Sequence, residues 1–283
     1  MGLTKDASAA ALAKACRLDV VAFKPGNVSL LSSGHGMEAD DFLVSAKYAV
    51  PVLCAPGASV GHRIEQAAVA TKSHVGCNTN LGIILLLGPL AVAAERARRW
   101  TELRTDLRGV LTDATVADAE HCFRAIQLAR PAGIGSSENQ DVHGRATLPL
   151  AEVMSLAADR DRIAAAYSSA YEEIFEFALP LLEVYRKRWH SLCWALTQVY
   201  LELVARAPDS HVWRKYGPEE AAQLSHQFAP VASALKACEN PRRFLVRLQS
   251  LDQDLKTRGI NPGTCADLTV ATAAVFLLKR RLS

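Results

Sequence analysis

Strand signals are nearly missing from this 283-residue chain. No run alternates apolar and polar residues with a period of two, and no Asn-Gly hairpin dipeptide occurs. That argues against sandwiches, barrels and wound α/β sheets. No fixed internal period recurs, so a helical solenoid is not expected. The longest apolar run, Leu81 to Ala94, has 14 residues, short of the roughly 20 that span a bilayer. The first twenty residues carry charges and hold no apolar segment ending in a cleavage site, so no secretory signal is expected. The seven cysteines are odd in number and none are spaced C-x-x-C. A zinc site or disulfide framework is therefore not expected, and the thiols read as buried groups in a reducing compartment. Cys77 and Cys265 lie in polar turns, where a nucleophilic thiol is the alternative. Net charge is only +3, with Lys and Arg scattered. Without a basic stripe, nucleic acid is not an expected partner. The expectation is a cytoplasmic protein with no membrane partner, homo-oligomerisation being left open.

Helical periodicity fills the space that strands leave. Half the residues are hydrophobic, enough for a core that needs no staples. Leu12, Ala15, Cys16 and Leu18 to Val21 trace the face of a first helix ending near Phe23. Further helices are expected from about Glu38 to Cys54, Val60 to His74, Leu81 to Ala94 and Val116 to Ala129. One long pattern runs from Asp159 to Lys187, bent at Pro180. Others cover His190 to Ala207, Pro218 to Cys238, Pro241 to Lys256 and Thr264 to Leu282. The prediction is one all-α domain, residues 1–283, of about ten helices, with the functional site in the loops between them. The stretch from Arg130 to Leu148 shows no period, and a long loop inside a compact domain is more often functional than accidental.

Polar clusters concentrate in the breaks, where sites held by a rigid scaffold are usually found. Lys24-Pro25-Gly26 presents an ammonium rigidly enough to reach a phosphate. His35, between two glycines, is free to approach a ligand closely. In the turn Gly76 to Gly82, Asn78 or Thr79 can cap the apolar helix that follows, placing its positive end where an anion would sit. Asp209 stands close to Arg214 and Lys215: a carboxylate for Mg²⁺ beside cations for phosphate. Each has a plainer reading, since Asp209 would also serve as a helix cap. Thr264 and Asp267 have capping-box spacing, which explains Asp267 structurally; metal binding is the alternative.

Taken in order, KPGNV (24–28), SSGHGMEADDF (32–42), the Thr-to-Gly pattern with Asn78-Thr79 across 71–82, DSHVWRKYG (209–217) and NPGTCADL (261–268) resemble the motifs of the triphosphoribosyl-dephospho-CoA synthase family. The resemblance spans about residues 8 to 280. It implies an all-helical transferase, and Mg²⁺ is the expected cofactor. In the family reaction, the ribose 2′-hydroxyl of dephospho-CoA displaces adenine from C1′ of ATP. An α-linked triphosphoribosyl group results. Displacement at an anomeric carbon passes through an oxocarbenium-like state that a nearby carboxylate stabilises.

This chain departs from the family pattern NTHKG, with Asn80 and Leu81 where the family has His and Lys. The segment from Gln140 to Tyr167 resembles a divergent branch associated with users of methanopterin-type one-carbon cofactors. The first expectation is therefore transfer of a phosphorylated ribosyl group, from ATP or phosphoribosyl pyrophosphate, to an alcohol acceptor in cofactor biosynthesis. The alternatives are the dephospho-CoA reaction itself and a non-catalytic helical scaffold. The expected catalytic residues are Asp209, Asp267 and His35. Lys24, Asn78, Thr79, Asn80, Gly82, Arg214, Lys215 and Gly263 are expected to bind substrate. Asp209, Asp267, Glu65 and Asp141 are the expected metal ligands.

Overall fold

The computed structural model describes residues 2–131, 133 and 140–283, and these form an all-α structure. The helices are α1 (Lys5–Val21), α2 (Ala39–Leu53), α3 (Val60–Val75), α4 (Leu81–Arg96), α5 (Trp100–Asp113), α6 (Val116–Ala129) and α7 (Leu150–Ser155). After them come α8 (Arg162–Ser168), α9 (Leu179–Trp189), α10 (Leu192–Arg206), α11 (Ser210–Tyr216), α12 (Pro218–Ala237), α13 (Leu245–Thr257) and α14 (Gly263–Leu282). A π-helical turn, Glu173–Ala178, leads into α9, and a 3₁₀ turn, Pro241–Phe244, precedes α13. Among the described residues no helix is long and apolar enough to cross a membrane.

Among the described residues fourteen helices stand against the expected ten or so, a rough agreement in which most of the excess is short. The pattern from Asp159 to Lys187 breaks where Ala170 and Tyr171 take positive φ, 48° and 58°. Pro180 then falls where the π-helical turn passes directly into the first turn of α9. The charged segment after Arg96 is itself helical, as α5, because Leu103, Leu107, Val110 and Leu111 form a buried stripe. Part of the aperiodic stretch after Arg130 lies outside the described residues.

Helices α4 and α14 are the axis of the molecule. Both are apolar nearly all round and buried along most of their length, α14 against α1, α4, α9 and α10. Pro89 inside α4 has no N–H for the carbonyl of Leu85, four residues back. The buried Tyr167 hydroxyl donates to that carbonyl at 2.6 Å, and Tyr171 donates to the next, Leu86, at 2.9 Å. The proline therefore leaves no unmet acceptor in the core. The starts of α4 and α14 open onto the same cavity, together with α11.

Candidate active site

The cavity has a volume of about 680 Å³. Its polar end is walled by the first turns of α4 and α14, by α11, and by the loop after α1. Its apolar end continues along α4 past Leu85 to Phe123 and Ile126 of α6 and Leu150 and Met154 of α7. Two long helices thus direct their positive ends at the polar half, an environment suited to anions.

The 76–82 turn caps as the sequence suggests: Asn78 Oδ1 accepts from Leu81 N at 3.2 Å. Thr79 meets Ser45 through their hydroxyls at 2.5 Å. Asn78, Thr79 and Gly82 line the cavity, whereas Asn80 is buried beside the start of α4 and does not line it. A Cβ at Gly82 would lie 2.0 Å from Oδ2 of Asp267, so any larger residue there displaces that carboxyl. The carboxyl of Asp267 therefore rests directly on the α4 backbone.

Asp267 does not serve in a capping box. Helix α14 begins at Gly263 after Pro262, which puts Asp267 beyond the first turn. The first-turn N–H of Cys265 is satisfied from another element, by Asp209 Oδ2 at 2.7 Å. The other oxygen of Asp209 caps α11, accepting from His211 N at 2.9 Å and Val212 N at 3.1 Å. Asp209 is fully buried and does not line the cavity. Its oxygens already hold three backbone donors, so it ties α11 to α14, which is not the placement expected of a metal ligand or catalytic carboxylate.

Asp267 is left facing the cavity, with no hydrogen-bond or ion-pair partner among the described residues. Burial pushes its pKa well above the usual carboxylate value, and the charges of Asp19 and Asp209 push it further; Arg214 and Lys24 act the other way.

Two more expected residues lie elsewhere. Lys24 is 1% exposed, and its ammonium is held by the backbone carbonyl of Asp19 and, at 2.7 Å, by its carboxylate. It is absent from the cavity wall, whereas Asp19, not among the expected site residues, is part of it. Glu65 sits outside the cavity, paired with Arg124 at 2.7 Å and with His121. The Arg124 hydrogen bond holds its pKa down. Asp141 lines the cavity and accepts from His143 N at 2.7 Å and Nδ1 at 2.8 Å.

His35, Arg214, Lys215 and Gly263 are brought together in the wall. The residue between the two glycines takes φ 56°, and His35 Nε2 lies 2.9 Å from the carbonyl of Gly26. A carbonyl only accepts, so Nε2 carries the proton and Nδ1 of the neutral ring is the site open to another. Arg214 pairs with Asp161. Lys215 is exposed at the rim, 5.0 Å above the ring of Tyr216.

His211 was passed over in the sequence, yet it faces the same space. A Cβ at Gly263 would lie 2.6 Å from its Nδ1. Burial lowers its pKa, Asp209 opposes that, and Arg214, Lys215 and His35 reinforce it. The thiol reading fails for Cys265, which is buried, bonded by Arg162 Nη1 at 2.9 Å, and pushed well up in pKa by burial. Burial raises Cys77 as well, so neither supplies a ready thiolate.

A crystal structure of a proposed triphosphoribosyl-dephospho-CoA synthase from Archaeoglobus fulgidus shares this fold. The TM-score is 0.65 at 23% identity, over 84% of this chain and 98% of that one. No curated protein matches. The sequence matches the family described as ATP:dephospho-CoA triphosphoribosyl transferase over residues 5–283, so the chain belongs to that transferase family.

Proposed function

We propose that this chain transfers the triphosphoribosyl group of ATP to the ribose 2′-hydroxyl of dephospho-CoA. The family match favours this over the broader expectation of a phosphorylated ribosyl donor of either kind. The observation that carries the reading is the pairing of Asp267 with Gly82. A carboxylate without a partner stands at the junction of two helix N-termini, within a cavity that bears Arg214, Lys215, His35 and His211 on its wall.

The chemistry follows from that arrangement. The acceptor oxygen bonds to C1′ as the C1′–N9 bond breaks, and its electron pair leaves with adenine. In its ionised form, which bound cations favour, Asp267 would stabilise the positive charge that builds at the ribose carbon. The helix ends and the Arg214 and Lys215 cations would hold the triphosphate. The hydroxyl proton would pass to His35 Nδ1 or to the neutral ring of His211, and the departing purine would take up a proton to leave as neutral adenine. One displacement inverts a β-nucleoside to an α link, so no covalent enzyme intermediate is needed. Magnesium, where bound with ATP, would neutralise and orient the phosphates.

Transfer from phosphoribosyl pyrophosphate to another alcohol, in methanopterin-type cofactor synthesis, is the second reading. Leu81 in place of a family lysine and the apolar end at Phe123, Ile126 and Met154 favour it. Chromatography of reactions with each donor separates the two. Adenine released from ATP only when dephospho-CoA is present supports the first reading. Pyrophosphate released from phosphoribosyl pyrophosphate, with ATP inert, overturns it.

A further inference from the structure

We propose that Asp19, Asp267 and the side-chain carbonyl of Asn27 form a site for a hard divalent cation, Mg²⁺ or Mn²⁺, at the polar end of the cavity. This is not the ligand set suggested by the sequence. Asp209 is occupied by backbone donors and Glu65 is paired outside the cavity.

Three observations converge. Asp267 and Asp19 both line the cavity, and their charges act on each other. Asp267 accepts no hydrogen bond among the described residues. The third observation is independent of the acids. Asn27 is 5% exposed and lines the same cavity. Its Nδ2 donates to Asn261 Oδ1 at 3.1 Å, which fixes the amide, and its Oδ1 is buried without a partner. A buried acceptor with no donor is costly, and a cation answers it as well as a proton donor does.

The turn that carries Asn27 is held from several sides. Gly26 N donates to Asp252 at 2.8 Å, and the Tyr200 hydroxyl donates to Pro25 O at 2.6 Å. Gly26 has φ 85°, and a Cβ there would lie 2.9 Å from Pro262. The Asn27 oxygen is thereby set in place before any ligand arrives.

The donor set suits magnesium. Two carboxylates and a carbonyl are hard oxygen donors, and Mg²⁺ is usually held by one or two carboxylates with substrate phosphates and waters completing the shell. Among the described residues no group of three His, Cys, Asp or Glu side chains could cage a metal. The Lys24 ammonium already neutralises Asp19, so nucleotide-free affinity is expected to be modest. That the cation would serve a triphosphate rests on the function proposed above; the site itself does not.

Mn²⁺ titration of the full-length protein without nucleotide, followed by electron paramagnetic resonance, tests the site. One Mn²⁺ per chain is expected. Asp19→Asn and Asp267→Asn should each weaken binding at least tenfold, and Glu65→Gln should not change it. Lys24→Met should tighten binding several-fold, because it removes a competing cation, an effect a merely structural lysine would not give. In the wild-type protein, Mn²⁺ should broaden the amide NMR signals of Asp19, Asn27 and Asp267 most strongly. No Mn²⁺ bound, broadening centred elsewhere, or folded Asp19→Asn and Asp267→Asn variants that bind like wild type would each overturn the proposal. All these readings are made without substrate, so they stand apart from any failure of the transfer reaction.

Discussion

Replacing Asp267 with Asn should make the ligand-free protein more stable while removing its activity. The carboxyl lies over Gly82, within reach of the charges of Asp19 and Asp209, and accepts no hydrogen bond among the described residues. Asn carries no charge, so it removes the desolvation and like-charge cost that raises the Asp267 pKa, and each tenfold change in proton affinity is worth about 1.4 kcal/mol. For a chain of this size about 1 kcal/mol shifts the melting temperature by roughly 2–4 °C. The expected gain is therefore about 2–6 °C at neutral pH. The sign with pH follows from linkage. The folded-state pKa of Asp267 is raised, so the folded protein keeps a proton that the unfolded chain has already lost. Stability falls as pH rises from the unfolded value through the folded one, and the penalty is complete above it. The advantage of the Asn variant should thus vanish near pH 4 and grow toward neutrality. Scanning calorimetry in EDTA across that range is the assay. A variant less stable than wild type at every pH would refute the argument.

Other substitutions separate holding residues from acting ones. Asp209→Ala removes three charge-assisted bonds to backbone N–H groups of α11 and α14, and should cost about 2–4 kcal/mol in urea denaturation. Gly82→Ala would drive a methyl to within 2.0 Å of the Asp267 oxygen; turnover should drop on the order of 100-fold with the circular dichroism spectrum unchanged. Glu65→Gln should leave kcat/KM within about twofold, because Glu65 lies outside the cavity, and should cost only about 0.2–1 kcal/mol. The Glu65 pKa is depressed, so its contribution exists above the unfolded value and is lost as pH falls through the folded one. The difference from wild type should therefore disappear in acid.

Helix content was legible because periodicity is local: α1, α2, α3 and α4 lie within a residue or two of their expected bounds. The break at Ala170 and Tyr171 was not, since neither residue is a turn former and only the surrounding packing holds them at positive φ. Asn78 announced its cap by position alone. Lys24, Asp209 and Glu65 stand outside the cavity wall for one reason. Each is neutralised or satisfied by a partner that is remote in sequence or hidden in an apolar stripe. Asp19 did leave a signal, as the lone charge in the run Leu18 to Phe23. A charge placed there has to be paired or used, and Asp19 is paired with Lys24 and lines the cavity. His211 was visible within DSHVWRKYG, but its closeness to Gly263 depends on how α11 meets α14.

The most direct test of the account is the fate of ATP in the presence of dephospho-CoA and Mg²⁺. The wild-type protein should release one adenine for each triphosphoribosyl-dephospho-CoA formed, as read by chromatography and mass spectrometry, and Asp267→Asn should release none. ATP left intact with dephospho-CoA present, or adenine released equally by the Asp267→Asn variant, would contradict it.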